Sequence, residues 1–119
     1  TAHCRDMILH LALNYSARGE ITSAVNSILR LSKEGSLDGE ISDETFSKHL
    51  FTCDVPDPDL LIRTSGEKRL SDFLLWECAY AELYFTDCLW PDFTERDLKE
   101  AIDDYYRRNR RFGAVEAGC

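Results

Sequence analysis

The sequence predicts an α/β fold in which a largely parallel sheet is flanked by helices. Short apolar runs alternate along the chain with segments whose apolar residues recur at helical spacing, which is the order typical of parallel sheets. Residues 7–15 are apolar on both faces, as expected for a strand that helices cover on each side. Residues 60–63 form a short apolar run bounded by turn residues, which is typical of a buried strand.

His10 interrupts the first predicted strand, and we interpret it as a core or edge histidine rather than a catalytic group. The segment that follows predicts an amphipathic helix, because apolar residues recur three and four positions apart. Its predicted buried stripe is Ile21, Ala24, Val25, Ile28 and Leu29. Gly35 is predicted to end this helix, since glycine is common just beyond a helix carboxyl end.

The middle of the chain predicts two more helices and a second strand. Ser42 is a predicted N-cap, because acidic residues follow it in the first turn of the second helix. Pro56 is predicted to stop that helix and to lead into the strand at residues 60–63. Residues 71–80 then predict a third helix, and residues 83–86 a short second strand.

The carboxyl-terminal part predicts a last helix followed by a basic segment. Thr94 is its predicted cap. Its predicted buried stripe is Leu98, Ala101, Ile102, Tyr105 and Tyr106. Four arginines then crowd into residues 107–111, which fits either a small anion site or a solvated helix end that complements the helix dipole.

Composition favours a cytosolic protein of one domain or part of one. The 119 residues carry a net charge of −8, which argues against bulk nucleic-acid binding. No apolar run approaches the roughly 18 residues of a membrane span. The first residues resemble neither a signal peptide nor a natural start, and a strand-like run follows almost at once. We therefore expect a fragment of a longer protein.

The cysteines predict reduced thiols rather than a disulfide framework or a zinc site. They are odd in number and form no CxxC pair: Cys4, Cys53, Cys78, Cys88 and Cys119. His49 stands four residues before Cys53 and could share a metal with it on a helix, but that helix should end before Pro56. We do not expect a metal site there.

The strongest functional signal is the polar loop that follows the strand at residues 60–63. It carries Arg63, Arg69 and Ser71, the last just ahead of the predicted third helix. Loops at the carboxyl ends of parallel strands bind ligands, helix N-termini attract anions, and arginine offers paired donors to phosphate. These features predict a phosphate or carboxylate pocket. Pairing of the arginines with Asp59 or Glu67 is the simpler alternative.

The stretch at residues 59–71, continued through residues 73–76, 80–85 and 89–93, resembles the cis-prenyltransferases, in particular those of the undecaprenyl diphosphate synthase type. The resemblance runs in the family's order from residues 11–15 to residues 110–113. It covers only the carboxyl-terminal half of that family. It therefore implies that residues 1–119 are the carboxyl-terminal half of one domain with an undecaprenyl-diphosphate-synthase-like α/β fold.

The resemblance implies a function for individual residues. Arg63, Arg69 and Ser71 would hold the diphosphate of isopentenyl diphosphate, and Glu82 would help to bind Mg²⁺. The tail at residues 107–119 contains Arg111 and Gly113, which match the family's Arg-x-Gly motif. That motif reaches across the interface of a homodimer toward the substrate phosphates.

The implied reaction is cis-prenyl chain elongation. Isopentenyl diphosphate is condensed onto an allylic, farnesyl-type diphosphate to make a long polyprenyl diphosphate, of the kind that carries cell-envelope glycans. The catalytic aspartate belongs to the family's amino-terminal half, so we expect the 119-residue chain to be inactive alone. A cytoplasmic protein that contacts the membrane through its lipid product is implied. The alternative is a non-catalytic, dimerising or phosphate-binding accessory subunit.

The chain departs from the family pattern in two places, and one geometrical problem arises. Ser16 and Ala17 replace a Gly-Gly pair, and Asp72 replaces the asparagine that usually follows the serine. A carboxylate at position 72 is expected to lie beside the diphosphate and to weaken its binding. If the two strands are parallel, Glu82 starts at the opposite edge of the sheet from Arg63. We therefore hypothesise a composite site shared between subunits.

Overall fold

The computed structural model describes residue 3 and residues 6–109. Within them the chain forms three α-helices and two strands, in the order α1 (Ala17–Lys33), α2 (Asp43–Ser47), β1 (Leu60–Arg63), β2 (Glu82–Phe85) and α3 (Glu95–Arg107). Two 3₁₀-helices, Glu77–Tyr80 and Trp90–Asp92, flank β2. The predicted α/β class is confirmed.

The two strands pair in parallel, as the sequence predicts. Leu60 lies opposite Glu82, and Arg63 lies opposite Phe85. The first strand has the predicted bounds, and the second begins at Glu82, one residue before its predicted start. The pairing matters for function because it fixes which residues share an end of the sheet.

Helix α1 begins at the N-cap Ser16, whose side chain accepts a hydrogen bond from the backbone N–H of Gly19. Its buried positions are Ala17, Glu20, Ala24 and Ile28. The predicted stripe is therefore only partly right, because Val25 and Leu29 are exposed in the part of the chain that the structure describes. The helix ends where predicted, with Gly35 directly after the C-cap and at a left-handed φ of 68°.

The caps predicted for the other two helices are present. Ser42 Oγ accepts a hydrogen bond from Thr45 N at 3.2 Å, although α2 is short and ends well before Pro56. The Thr94 backbone N–H donates to Asp97 Oδ2 at 2.8 Å in a capping box. Of the predicted stripe of α3, Ala101 is buried, whereas Leu98, Ile102 and Tyr106 are exposed.

Residues 7–15 do not form a strand, so that prediction is wrong. The segment runs as irregular chain, and its apolar side chains are largely exposed, with Met7 at 82% and Leu13 at 84%. A strand needs a neighbouring strand to satisfy its backbone hydrogen bonds. The described part of the chain offers only the two-stranded sheet of β1 and β2, which does not include this segment. An apolar run is thus insufficient by itself.

Residues 71–80 do not form an α-helix either. Ser71, Asp72 and Leu74 have left-handed φ angles of 52°, 62° and 46°, which a right-handed helix does not accommodate. The segment consists of bends and turns that end in the short 3₁₀-helix Glu77–Tyr80. Ser71 therefore does not lie at a helix start, and the phosphate site predicted there cannot rely on a helix dipole.

A buried carboxylate links α1 to the turns after α2. Glu20 accepts hydrogen bonds from the hydroxyl of Tyr15, from Phe51 N at 2.7 Å and from Thr52 N at 3.3 Å. The Thr52 hydroxyl donates to Glu77 Oε1 at 2.5 Å. Burial, together with the hydrogen bond to Glu20, raises the pKa of Tyr15. This network joins three separate segments of the chain, at residues 15–20, 51–52 and 77.

The remaining sequence expectations concern thiols, metals and the membrane. Cys53, Cys78 and Cys88 are free thiols, while Cys4 and Cys119 lie outside the described residues. His49 Nδ1 lies 3.3 Å from Ser27 Oγ. Across residues 6–109 the structure contains no helix that is both long and apolar enough to cross a bilayer.

Candidate phosphate-binding site

The polar loop after β1 borders a cavity of about 250 Å³. Arg63 is the last residue of β1 and Arg69 lies six positions further on, and both side chains line this cavity. The other lining residues are Leu61, Ile62, Thr64, Leu70 and Phe73. Two arginines therefore line one small cavity whose other lining residues, apart from Thr64, are apolar.

Ser71 is linked to Arg63 by a hydrogen bond. Arg63 donates from Nη2 to Ser71 Oγ, a long contact of 3.4 Å. The structure thus places Arg63 beside the same cavity as Arg69 and in hydrogen-bond contact with Ser71. What they bind stays a prediction, and the hydroxyl is held by a loop rather than by a helix start.

Arg69 forms an ion pair with Glu67, which is the alternative that the sequence left open. The two side chains are 65% and 37% exposed. An ion pair as exposed as this contributes only about 0–1 kcal/mol. An incoming anion with two or three charges can therefore displace the Glu67 carboxylate from Arg69.

The loop is shaped by a tight turn at Ser65 and Gly66, both of which have left-handed φ angles of 69° and 68°. Their backbone N–H groups donate to Cys88 O at 2.8 Å and to Thr86 O at 2.9 Å. Glycine suits this left-handed φ, and a Cβ at position 66 would lie 3.0 Å from Asp87 Oδ1, so the Asp87 side chain would have to shift. The turn attaches the arginine loop to the chain that follows β2.

Asp72 attaches the other end of the loop to α1. Its backbone oxygen accepts a hydrogen bond from Ala17 N at 2.9 Å. Its carboxylate accepts from Ser16 Oγ at 2.7 Å and from Arg18 N at 2.9 Å. The hydrogen bond from Ser16, followed by that from Arg18, lowers the pKa of Asp72. The two departures from the family pattern, at positions 16–17 and 72, are therefore in direct contact.

Sequence reasoning treated these two departures as separate features because they are 56 positions apart. The sequence did contain a signal: Ser16 adds a hydroxyl where the family has glycine, and Asp72 adds a charge where the family has asparagine. Only the fold shows that they are partners. It also shows that the Asp72 carboxylate is engaged with the amino end of α1 rather than lying free beside the arginines.

Glu82 lies at the opposite end of the strand pair from Arg63. It is the first residue of β2 and pairs with Leu60, whereas Arg63 pairs with Phe85 three positions later. At about 3.3 Å per residue, the two positions are separated by roughly 10 Å along the strands. Within one chain, Glu82 therefore does not belong to the arginine cavity.

Arg108 forms an ion pair with Glu82. The sequence analysis treated Arg108 only as part of the basic segment at residues 107–111 and assigned it no partner. Its Nη1 donates to Glu82 Oε2 at 2.8 Å and to Leu83 O at 3.0 Å, and its Nη2 donates to Asp104 Oδ2 at 2.6 Å. The hydrogen bond to Glu82, followed by that to Asp104, raises the pKa of Arg108. Arg111 and Gly113 lie outside the described residues.

Binding of Mg²⁺ by Glu82 stays a prediction. Mg²⁺ in sites shared with a phosphate substrate takes one or two carboxylates together with phosphate oxygens and water. Among residues 6–109, no three His, Cys, Asp or Glu side chains converge closely enough to hold a metal. Glu82 could supply one carboxylate, in competition with the Arg108 guanidinium that it now binds.

Comparison with known sequences gives a family match for this chain. Residues 1–113 match the undecaprenyl diphosphate synthase family. An isoprenyl transferase from Heliobacterium mobile is 53% identical over 117 residues, which is 98% of this chain and 45% of the relative. An isoprenyl transferase from Thermotoga maritima is 54% identical over 112 residues, covering 94% of this chain and 48% of the relative.

Two solved structures resemble this one. A lavandulyl diphosphate synthase from Lavandula x intermedia, in complex with dimethylallyl diphosphate, superposes with a TM-score of 0.80 at 42% identity over 84% of this chain and 44% of its own. A probable undecaprenyl diphosphate synthase from Campylobacter jejuni gives 0.76 at 37% identity over 95% and 50%. The chain thus spans about half the length of the proteins that it matches.

Proposed function

Because this chain belongs to the undecaprenyl diphosphate synthase family, we propose that it is the carboxyl-terminal half of a cis-prenyltransferase domain and supplies the isopentenyl-diphosphate side of the active site. The observation that carries the proposal is the single cavity lined by Arg63 and Arg69, with Ser71 hydrogen-bonded to Arg63. Two guanidinium groups and a hydroxyl match a headgroup with two or three negative charges.

Binding proceeds by exchange of partners. The diphosphate replaces Glu67 on Arg69 and accepts hydrogen bonds from Arg63 and Ser71. The apolar lining of the cavity, which includes Leu61 and Phe73, suits the short hydrocarbon part of isopentenyl diphosphate. Because the loop is attached at both ends, the backbone that carries these donors is ordered before the ligand arrives, which reduces the ordering cost of binding.

Glu82 is the proposed Mg²⁺ ligand. When bound, the metal would neutralise charge on the diphosphate that departs from the allylic substrate. Because Glu82 and Arg63 lie at opposite ends of the strand pair, we propose that they serve a site composed by two subunits of a homodimer. The exposed aromatic side chains of Trp90 and Tyr106, at 72% and 78%, support a dimer surface in this part of the chain.

The other parts of the proposed enzyme lie beyond this structure. Arg111 and Gly113 would reach toward the phosphates of the partner subunit. The allylic, farnesyl-type diphosphate and the catalytic aspartate would belong to the preceding half, so the 119-residue chain is proposed to be inactive alone. The dimethylallyl diphosphate bound by the lavandulyl diphosphate synthase supports an allylic co-substrate. The proposed location is the cytoplasm, with membrane contact through the polyprenyl product and no role for nucleic acid.

Titration calorimetry with isopentenyl diphosphate on the complete protein that carries this chain tests the proposal. Arg63→Ala and Arg69→Ala should each weaken binding by about tenfold or more, as expected for loss of a charged hydrogen bond. Lys68→Ala is the matched control, because Lys68 has the same charge in the same loop but does not line the cavity. Equal losses in all three variants would indicate a diffuse electrostatic effect and would contradict the proposed pocket.

Product analysis distinguishes the enzyme from the accessory subunit. The complete protein should extend an allylic diphosphate with Mg²⁺ present, and the Arg63→Ala variant should not. Diphosphate binding and dimerisation without chain elongation would favour the accessory subunit instead.

A further inference from the structure

We propose that Asp72 is a positioning residue, whose carboxylate locks the Arg69–Ser71 segment to the amino end of α1 so that the phosphate donors keep their places. The proposal rests on the function proposed above and assigns Asp72 a role in that site without contact to the ligand. It also opposes the expectation from sequence that this carboxylate weakens binding by repulsion.

The backbone around Asp72 needs such a lock. Ser71 and Asp72 occupy consecutive left-handed conformations, with φ angles of 52° and 62°. Non-glycine residues adopt this region at a cost in free energy and persist there only when their surroundings enforce it. Ser71 carries the hydroxyl that meets Arg63, so relaxation of this strained pair would move a predicted phosphate donor.

Three hydrogen bonds from α1 enforce the conformation. The Asp72 backbone oxygen accepts from Ala17 N, Oδ1 accepts from Arg18 N, and Oδ2 accepts from Ser16 Oγ. The carboxylate lies at the positive end of the α1 dipole, which compensates its charge. With both oxygens engaged there, Asp72 acts on the cavity through the position of Ser71 rather than through its own charge.

The hydroxyl of Ser16 makes the lock specific for a carboxylate. Ser16 Oγ already accepts a hydrogen bond from Gly19 N at 3.1 Å, and it donates its one proton to Asp72 Oδ2. An asparagine at position 72 would need one oxygen for Arg18 N and would turn its NH₂ group toward Ser16 Oγ. The serine proton would then have no acceptor in the lock. Glycine at position 16 removes that conflict.

The test is the affinity of the complete protein for inorganic diphosphate, measured by calorimetry well below the unfolding temperature. Asp72→Asn should bind about tenfold more weakly, a coupling of the size found for residues in one network. The double variant Ser16→Gly/Asp72→Asn should recover to within about threefold of the original protein. KM for isopentenyl diphosphate should follow the dissociation constant, with kcat changed by less than about twofold.

The sign of the Asp72→Asn effect separates the two explanations. If Asp72 only repelled the ligand, loss of its charge would tighten binding. The control is Asp38→Asn, which removes the same charge from the exposed connector between α1 and α2 and should tighten binding slightly. Tighter or unchanged binding by Asp72→Asn would overturn the proposal, as would a lowered unfolding midpoint with unchanged affinity.

A second variant covers the case in which Asp72→Asn does not fold, and measurements on the original protein and on Arg63→Ala test the proposed function separately. If Asp72→Asn does not fold, Ser16→Ala removes one of the three bonds and should still weaken diphosphate binding, by about threefold. Unchanged affinity in Ser16→Ala would then overturn the lock. Failure of the original protein to bind diphosphate, or equal binding by Arg63→Ala, would refute the proposed function itself. Such a result is distinct from a failure of the Asp72 proposal, in which the original protein binds diphosphate and Asp72→Asn binds it equally well.

Discussion

Replacement of Glu20 should destabilise the protein more than any exposed charge change. Its side chain belongs to a residue that is only 1% exposed, yet it accepts hydrogen bonds from Tyr15, Phe51 and Thr52. Glu20→Ala leaves these donors without their charged acceptor and opens a space between α1 and the turns after α2.

The expected loss follows from the bonds. Hydrogen bonds to a charged group contribute about 1.5–3 kcal/mol each. The bond from Phe51 N is 2.7 Å long and the Tyr15 hydroxyl supplies a second donor, whereas the bond from Thr52 N, at 3.3 Å, adds little. Two strong bonds, partly replaced by entering water, give a loss of about 3–5 kcal/mol. Glu20→Gln keeps one oxygen for Phe51 N and should lose about 1–2 kcal/mol.

Urea titration of the complete protein, followed by circular dichroism, measures these losses. Glu34→Ala is the control, since Glu34 sits in an exposed ion pair with Arg30 and should change the free energy of unfolding by less than about 0.5 kcal/mol. A loss for Glu20→Ala no greater than that of Glu34→Ala would show that the network is not stabilising and would refute the reasoning.

Four further results are expected. Glu67→Gln should tighten diphosphate binding by up to about fivefold, because the diphosphate no longer competes with a carboxylate for Arg69. The gain should shrink in high salt, as calorimetry at two salt concentrations would measure. Weaker binding by Glu67→Gln would contradict this prediction. Arg108→Ala should lower the free energy of unfolding by about 1–3 kcal/mol, against less than about 0.5 for the more exposed Arg107→Ala. The pKa of Asp72 is lowered on folding, so the stabilisation that Asp72 contributes is present above the unfolded pKa of about 3.9 and disappears as the pH falls below it. In thermal melts, the drop in unfolding midpoint caused by Asp72→Asn should therefore be equal at about pH 5 and pH 8. The raised pKa of Tyr15 predicts that stability falls as the pH rises above about 10, and that Tyr15→Phe weakens this fall.

Local patterns predicted the parts of the fold that depend on local interactions. Ser42 and Thr94 cap their helices as predicted, because a cap is decided within four residues. The parallel pairing of β1 and β2 also follows from the sequence, and with it the separation of Glu82 from Arg63. Arg63, Arg69 and Ser71 were found because one short loop carries all three.

The predictions that were wrong depend on partners distant in sequence. Residues 7–15 have the composition of a strand, but pairing requires a neighbour that the described part of the chain does not place beside them. Residues 71–80 have helical composition, but Asp72 bonds to α1 and holds the backbone in a conformation that excludes a helix. The Arg108–Glu82 ion pair spans 26 positions and leaves no pattern in the sequence.

The contact between Asp72 and the amino end of α1 also has a consequence for how the site is assembled during folding. It closes a loop of more than 50 residues, and contacts of such separation form slowly because the chain entropy is lost before the contact forms. The arginine loop should therefore gain its final shape only after α1 is in place. A diphosphate that binds only the finished shape would stabilise the folded chain by about 2.7 kcal/mol at a hundredfold excess over its dissociation constant. Anion binding is then a measure of whether the part of the chain from α1 to β2 is correctly folded.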